Sequence, residues 1–303
     1  MAVDVVKPAL PLLSRLIAAH REARGLSQAE LAEALGTDTT TVSRWESGRN
    51  KPKGKVAVTG LRDMLGIAQA DLDRAFLQWS EVETGARAVI RGYDTLAALR
   101  LTEGQMIARL IEIDRATLPD LTVDLEGTAE QWLPIFRAAP YAWRLLTLRD
   151  TIIGYWHYLS LDERHFAMAK AGTLREGHLH PDALVHLVNP ASARAYKMFI
   201  SMVALDPRWM RPEYATQLLL SLVGEFEHLA RLGFVFSEIC AVAWTPEGRQ
   251  LCEDARMNQI AQQSGVGPQD VAPIYHLTGA EIARRPALAG NRSIAALYRQ
   301  SFG

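Results

Sequence analysis

The chain has 303 residues, about twice the ~150 of a common domain, so two domains with separate cores are expected. Apolar residues make up 49 % and charged residues 22 %, which excludes a disordered or fibrous chain, and no run approaches the ~18 apolar residues of a membrane-spanning helix. The net charge of −1 conceals an asymmetry, nine Lys/Arg against six Asp/Glu up to Lys55 and 24 against 28 in the rest, and a mildly basic head on an acidic body suits a nucleic-acid-binding module joined to a non-binding domain.

Met1 to Pro11 lacks a small-residue cleavage site and does not read as a secretory signal. With Cys240 and Cys252 as its only cysteines, the chain has neither a disulfide framework nor a four-thiolate zinc site. A cytoplasmic location is expected. The first helix carries Leu12, Leu13, Leu16, Ile17, His20 and Ala23 on one face and ends at Gly25. Ser27 and Glu30 form a capping box that opens a second helix, Gln28 to Leu35, with Leu31, Ala32 and Leu35 inward and Gly36 after it. Thr37 and Asp38 are both good N-caps for a third helix, Thr39 to Ser47, whose Val42 and Trp45 face inward while Thr39, Thr40, Ser43 and Arg44 face out. Val56 to Leu65 and Asp71 to Trp79 read as two more helices, and Glu81 to Arg100, broken by Gly85 and Gly92, as a linker with one helical segment.

Two short helices joined by a Gly-containing turn make a helix-turn-helix unit. The run Leu26-Ser27-Gln28-Ala29-Glu30-Leu31-Ala32, then Gly36, Thr41 to Arg49 and Pro52, resembles the XRE family, the Cro-like phage-repressor helix-turn-helix domains, over about 60 residues. The resemblance implies a third helix in the major groove, with Thr39, Thr40, Ser43 and Arg44 at base edges. Arg44 is the leading candidate, since a guanidinium bonds guanine O6 and N7 together. Gln28 would hold a backbone phosphate, and Arg49, Lys51 and Lys53 would add charge contacts. The two leading threonines depart from the amide side chains common in the family and leave the target sequence open. The blander reading makes Arg44 and Arg49 solvated charges and pairs Glu46 with a neighbour. The family also implies a two-fold operator and a homodimer.

From Thr102 onward helices and strands alternate. Glu103 to Leu118 carries Met106, Ile107, Leu110, Ile111 and Ile113 at helical spacing, and Thr128 to Ala138 makes a second helix. Tyr141 to Leu148 and Thr151 to Leu161 read as a hairpin, Tyr196 to Leu205 as a strand, and Leu218 to Leu229 as a helix that stops at Gly233. Phe234 to Trp244 is a further strand, and Thr245 and Pro246 are an N-cap and first-turn proline of another helix. This order, with Ile113 to Pro119, Ile153-Gly154-Tyr155 and the strand ending Val203 to Pro207, is similar to the GNAT superfamily of acyl-CoA-dependent N-acyltransferases over about 180 residues.

That resemblance implies a Gln/Arg-x-x-Gly-x-Gly/Ala loop holding the CoA pyrophosphate on backbone N–H groups at a helix start. The equivalent stretch here is Arg208 to Thr216. Arg208, Arg211 and Ala215 are its cofactor-binding candidates, yet Arg211 and Glu213 stand where glycines belong and Pro212 removes a donor. The tyrosine acid common in the family's later helix is replaced near Leu251 and Cys252. No catalytic residue is assigned. His178, His180 and His186 read as solvated loop histidines rather than metal ligands. Cys240 reads as core, and Trp132, Trp143, Trp156, Trp209 and Trp244 as packing, with Trp209 and Tyr214 able to line a pocket.

The fold expected is therefore multidomain: an all-α helix-turn-helix domain over 1–80, a linker over 81–101, and a degenerate α/β (α+β) GNAT-like domain with a central mixed sheet over 102–303. The function expected is a sequence-specific transcription regulator that binds a double-stranded DNA operator, with a non-catalytic body for dimerisation, ligand sensing or contact with a small-molecule or protein partner. The alternatives are a DNA-binding N-acyltransferase that uses acetyl-CoA or another acyl-CoA, and an antitoxin-like autorepressor. In the main reading no cofactor and no metal are expected.

Overall fold

The computed structural model describes residues 10–84, 86–188, 196–266, 270–288 and 290–303. Residues 1–9 of the Met1 to Pro11 segment, and Gly85 in the stretch read as a linker, lie outside the described residues. The chain divides into two compact units, Met1–Ala88 and Val89–Gly303.

The first unit holds α1 (Leu12–Ala23), α2 (Gln28–Ala34), α3 (Thr39–Glu46), α4 (Lys55–Leu65) and α5 (Gln69–Thr84). Its boundaries come from local chemistry. Ser27 and Glu30 satisfy each other's backbone N–H groups at the start of α2. Gly25 and Gly36 end α1 and α2 at φ +67° and +63°, a left-handed geometry that costs glycine nothing. Of the two candidate caps for α3, Asp38 is the one used, its carboxylate accepting from the Thr41 N–H at 2.7 Å. Leu13, Ile17, Leu31, Val42, Trp45 and Leu61 are buried together in the centre of this unit.

The second unit starts on β1 (Ala88–Arg91), the edge strand of a sheet, inside the segment read as a linker. Then follow α6 (Glu103–Thr117), α7 (Val123–Glu126), α8 (Ala129–Ala138), β2 (Trp143–Leu148), β3 (Thr151–Ser160), α9 (Glu163–Ala171), β4 (Tyr196–Leu205) and α10 (Pro212–Arg231). The unit ends with β5 (Phe236–Val242), α11 (Pro246–Asp254), β6 (Asn258–Val266), β7 (Asp270–Thr278), α12 (Gly279–Arg284) and α13 (Arg292–Phe302). The seven strands lie in the order β1-β2-β3-β4-β5-β7-β6. β4 and β5 pair parallel, while β2/β3, β3/β4, β5/β7 and β7/β6 pair antiparallel. This is the mixed sheet flanked by helices expected of a GNAT-like body, with α9 and two short 3₁₀ turns, Glu176–His178 and Pro181–Ala183, inserted between β3 and β4.

Two irregularities shape the middle of the sheet. β4 pairs with β5 from Tyr196 to Ile200, and the second half of β4 continues without that partner, so the two strands part. At the same point β3 and β4 slip register between His157 and Tyr158, which leaves Ser201 as an extra residue on β4. Such a bulge re-aims a side chain and bends its strand. The pleat of β3 sends Tyr155 toward α6, where its hydroxyl bonds Asp114, and Trp156 toward α10, where the indole N–H donates to Ser221 at 2.6 Å.

Candidate functional site

In the first unit, α3 presents Thr39, Thr40, Ser43 and Arg44 to the exterior while Val42 and Trp45 are buried. The orientation of so short a helix is set by tertiary anchors rather than by propensity. The Ser14 hydroxyl of α1 donates to the Trp45 carbonyl at 2.6 Å. Glu46, at the end of α3, receives the Arg21 guanidinium of α1 on both oxygens, at 2.6 and 3.1 Å, and the Gln28 amide of α2 at 2.7 Å. Arg21 also donates to the Leu26 carbonyl in the α1–α2 turn at 2.7 Å. One carboxylate thus ties three helices together. Gln28 is half-buried in this arrangement, and the second hydrogen of its amide remains for a further acceptor. Arg49 and Lys53 are exposed beyond α3, and Lys51 is half-buried between them.

In the second unit, Arg208 to Thr216, the stretch set against the family's pyrophosphate loop, runs into the start of α10. Pro212 opens the helix without an N–H, and the Tyr214 and Ala215 N–H groups both bond the Arg211 carbonyl. The Glu213 carboxyl is buried beside them. Arg208 is turned away onto Asp206, which it meets at 2.6 and 3.0 Å, and Arg109 of α6 bonds the same carboxylate. Hydrogen bonds from Arg208 and then Arg109 hold Asp206 well below the usual carboxylate range. Arg211 lies over the Tyr214 ring, 6.0 Å from its centre. Spent donors and a buried carboxylate do not fit a pyrophosphate.

A small cavity that holds three carboxyl groups among apolar side chains lies at the parting of β4 and β5, on the α6 side of the sheet. Of its lining, Trp132, Trp143 and Trp244 read from the sequence as packing, and Glu126 and Glu176 belong to no motif. Asp114 on α6, Glu126 at the end of α7 and Glu176 in the inserted turn are all buried. Tyr155 donates to Asp114 at 2.6 Å, and the bulged Ser201 donates to Glu176. Arg115 holds Glu126 from the outside at 2.9 to 3.1 Å. The Glu176 turn is pinned in place: Gln131 of α8 donates to the Glu176 and Leu179 carbonyls, and a Cβ at Gly177 would lie 2.4 Å from the Val123 carbonyl oxygen. Burial raises the Asp114 carboxyl to about 7 and the Glu176 carboxyl to about 8. Burial also pushes the His157 imidazole down to about 3, so the ring is neutral. That ring is stacked on Trp143, with centres 3.9 Å apart.

This cavity has a volume of about 20 Å³ and shares Leu121 and Trp244 with an open cleft of about 630 Å³ between the α6–α7 connection, α11 and the β6/β7 hairpin. Trp209 and Tyr214 line neither. His178 and His180 are exposed beside Asp124 and Asp182, and among the described residues no group of three or more His, Cys, Asp or Glu is placed to hold a metal ion. Cys240 is fully buried, with its thiol raised to about 12. Among the described residues no helix is long and apolar enough to cross a membrane.

No curated protein matches the chain. Solved structures it resembles include Ard1 from Thermoplasma volcanium, at 11 % identity over 63 % of this chain and 97 % of that one with a TM-score of 0.39. The loading GNATL domain of CurA from Lyngbya majuscula aligns at 12 % identity over 63 % and 97 %, TM-score 0.41. An N-acetyltransferase from Staphylococcus aureus Mu50 aligns at 14 % over 63 % and 98 %, TM-score 0.38. By sequence, residues 17–59, the stretch that contains α2, α3 and the Arg21–Glu46 tie, match the helix-turn-helix family model, and that segment is a helix-turn-helix module.

Proposed function

We propose that the chain is a sequence-specific transcription regulator in which residues 1–80 bind a double-stranded DNA operator, residues 81–101 join the two parts, and residues 102–303 form a non-catalytic body that senses a ligand, dimerises or contacts a partner in the cytoplasm. The observation that carries this reading is the exposed face of α3, Thr39, Thr40, Ser43 and Arg44, on a segment that matches the helix-turn-helix family. Its shape and size suit the major groove, with Gln28, Arg49, Lys51 and Lys53 at flanking phosphates. The test begins with an operator recovered from random duplexes by selection on the full chain. Arg44→Ala is expected to weaken binding to it by about 1 to 3 kcal/mol, or roughly 5- to 150-fold, and to relax preference at one base pair. Unchanged affinity and preference would remove Arg44 from the base-reading set.

The order of helices and strands in the body supports a second reading, a DNA-binding N-acyltransferase using acetyl-CoA or another acyl-CoA. The blocked start of α10 weighs against it. Calorimetry of the full chain with acetyl-CoA is expected to show no binding heat, and mixing with amines no release of thiol. Saturable binding with thiol release would make the body an enzyme, with Arg208, Arg211 and Ala215 as its first candidates for mutation.

A further inference from the structure

The outer face of α3 is as telling in what it lacks as in what it carries. Thr39, Thr40, Ser43 and Arg44 are exposed there, and among the described residues none of their side chains has a hydrogen-bond partner. The carboxylates at the two ends of the helix are already committed. Both Asp38 oxygens accept from Thr41, one from its N–H at 2.7 Å and the other from its hydroxyl at 2.8 Å. The Glu46 oxygens are taken by Arg21 and Gln28. What α3 presents is therefore a guanidinium, the hydroxyls of two threonines and a serine, and the two threonine methyls, with no carboxamide and no free carboxylate.

Base pairs do not suit these groups equally. In the major groove adenine shows an acceptor beside a donor, which a carboxamide matches, and cytosine a lone donor, which a carboxylate matches. The face of α3 has neither. Guanine shows two acceptors, which one guanidinium bonds together, and thymine carries a C5 methyl that packs against another methyl. A hydroxyl both donates and accepts, so it separates the four bases poorly. Thr40 and Arg44 are four residues apart and stand one above the other on the helix surface, about 6 Å along its axis, against about 3.4 Å per base pair. They therefore face different base pairs. Thr39 lines up with Ser43 instead.

We infer that the stretch of operator under α3 contains a guanine bonded by Arg44 and, one or two base pairs away, a thymine whose methyl packs on the methyl of Thr40. This rests on the reading of residues 1–80 as an operator-binding head and adds to it the chemistry of the bases.

The test takes the operator selected on the full chain and replaces single bases within it. Deoxyuridine in place of thymine removes the methyl alone, and 7-deazaguanine in place of guanine removes the N7 acceptor alone. Affinities of the full chain are measured by fluorescence anisotropy at one fixed salt concentration, because phosphate contacts make them salt-dependent. The wild-type chain is expected to bind about fourfold more weakly when one particular thymine is replaced, the worth of one buried methyl. Replacement of a guanine one or two pairs from it should weaken binding about tenfold or more. Thr40→Ser, which keeps the hydroxyl and lacks the methyl, should bind thymine and deoxyuridine duplexes alike while it still loses affinity with 7-deazaguanine. Arg44→Ala should show the converse. A Thr40→Ser chain that still tells thymine from deoxyuridine, or a wild-type chain indifferent to deoxyuridine at every position, overturns the inference. In both cases a selected duplex is still bound, so the operator-binding reading survives. A selection that enriches no duplex would remove that reading and the inference with it.

Discussion

Glu46→Ala is expected to destabilise the helix-turn-helix unit by about 3 to 5 kcal/mol and to abolish operator binding with it. The Glu46 carboxylate is 8 % exposed and its Arg21 partner 11 %, so removing Glu46 leaves the guanidinium desolvated, with the exposed Glu22 carboxylate at 3.3 Å as its remaining counter-charge. The loss extends beyond the pair. Gln28 gives up its acceptor, and α1, α2 and α3 lose the one side chain that all three share. Because α3 spans eight residues, too few to be stable as an isolated helix, its angle to the rest of the unit depends on this tie and on Trp45. Glu46→Gln, which keeps the shape and one acceptor, should cost less. The double change Arg21→Met with Glu46→Leu should restore much of the stability, since an apolar pair of similar volume avoids the desolvation cost. Denaturant unfolding of the full chain, followed by far-ultraviolet circular dichroism, measures all three. An Ala variant that unfolds at the wild-type midpoint would show that the tie contributes nothing.

The head was legible in the sequence because its determinants are local. The capping box at Ser27 and Glu30 and the left-handed glycines at 25 and 36 act within a few residues of where they stand. The choice between Thr37 and Asp38, the partner of Glu46, 25 residues away in Arg21, and the length of α5, Gln69–Thr84 against the expected Asp71 to Trp79, needed the fold. In the body the hairpin, β4, α10, β5 and the Thr245 cap were readable from periodicity and capping. β1 has four residues, and β6, Asn258–Val266, is a polar edge strand with no apolar alternation to betray it. The cavity was hidden for a different reason: Tyr155 meets Asp114 across 41 residues and Ser201 meets Glu176 across 25, and nothing in the phrases Ile113 to Pro119 and Ile153-Gly154-Tyr155 joins the first pair. One clue was present. Asp114 continues the stripe Ile107, Leu110, Ile111, so an acid occupies a position where the helix faces its core.

That cavity makes the stability of the body fall with rising pH where many proteins are flat. Asp114 moves from an ordinary 3.8 to about 7 on folding and Glu176 from 4.5 to about 8, each because burial penalises the carboxylate. Between the unfolded and folded values the native state holds protons that the unfolded chain has released, so stability is greatest below the unfolded values and is lost as pH rises through the folded ones. His157 opposes this at lower pH. Its ring falls from 6.5 to about 3 on folding, so up to about 6.5 the unfolded state takes the proton and stability rises with pH. Asp206 and Glu238, both lowered by ion pairs, add a loss only on the acid side. Above pH 6.5 that opposition fades as the unfolded imidazole loses its proton, and the two raised carboxyls dominate. At ~1.4 kcal/mol per proton per pH unit, raising pH from 6.5 to 8 should cost the body about 2 kcal/mol. Asp114→Asn with Glu176→Gln keeps hydrogen-bonding groups that do not ionise and should flatten the curve in this interval. Denaturant midpoints of the full chain and of this variant at pH 6.5, 7.2 and 8.0 decide the matter. A wild-type curve that rises or stays level would mean that both carboxylates are already charged in the native body, and that water or a cation compensates them there.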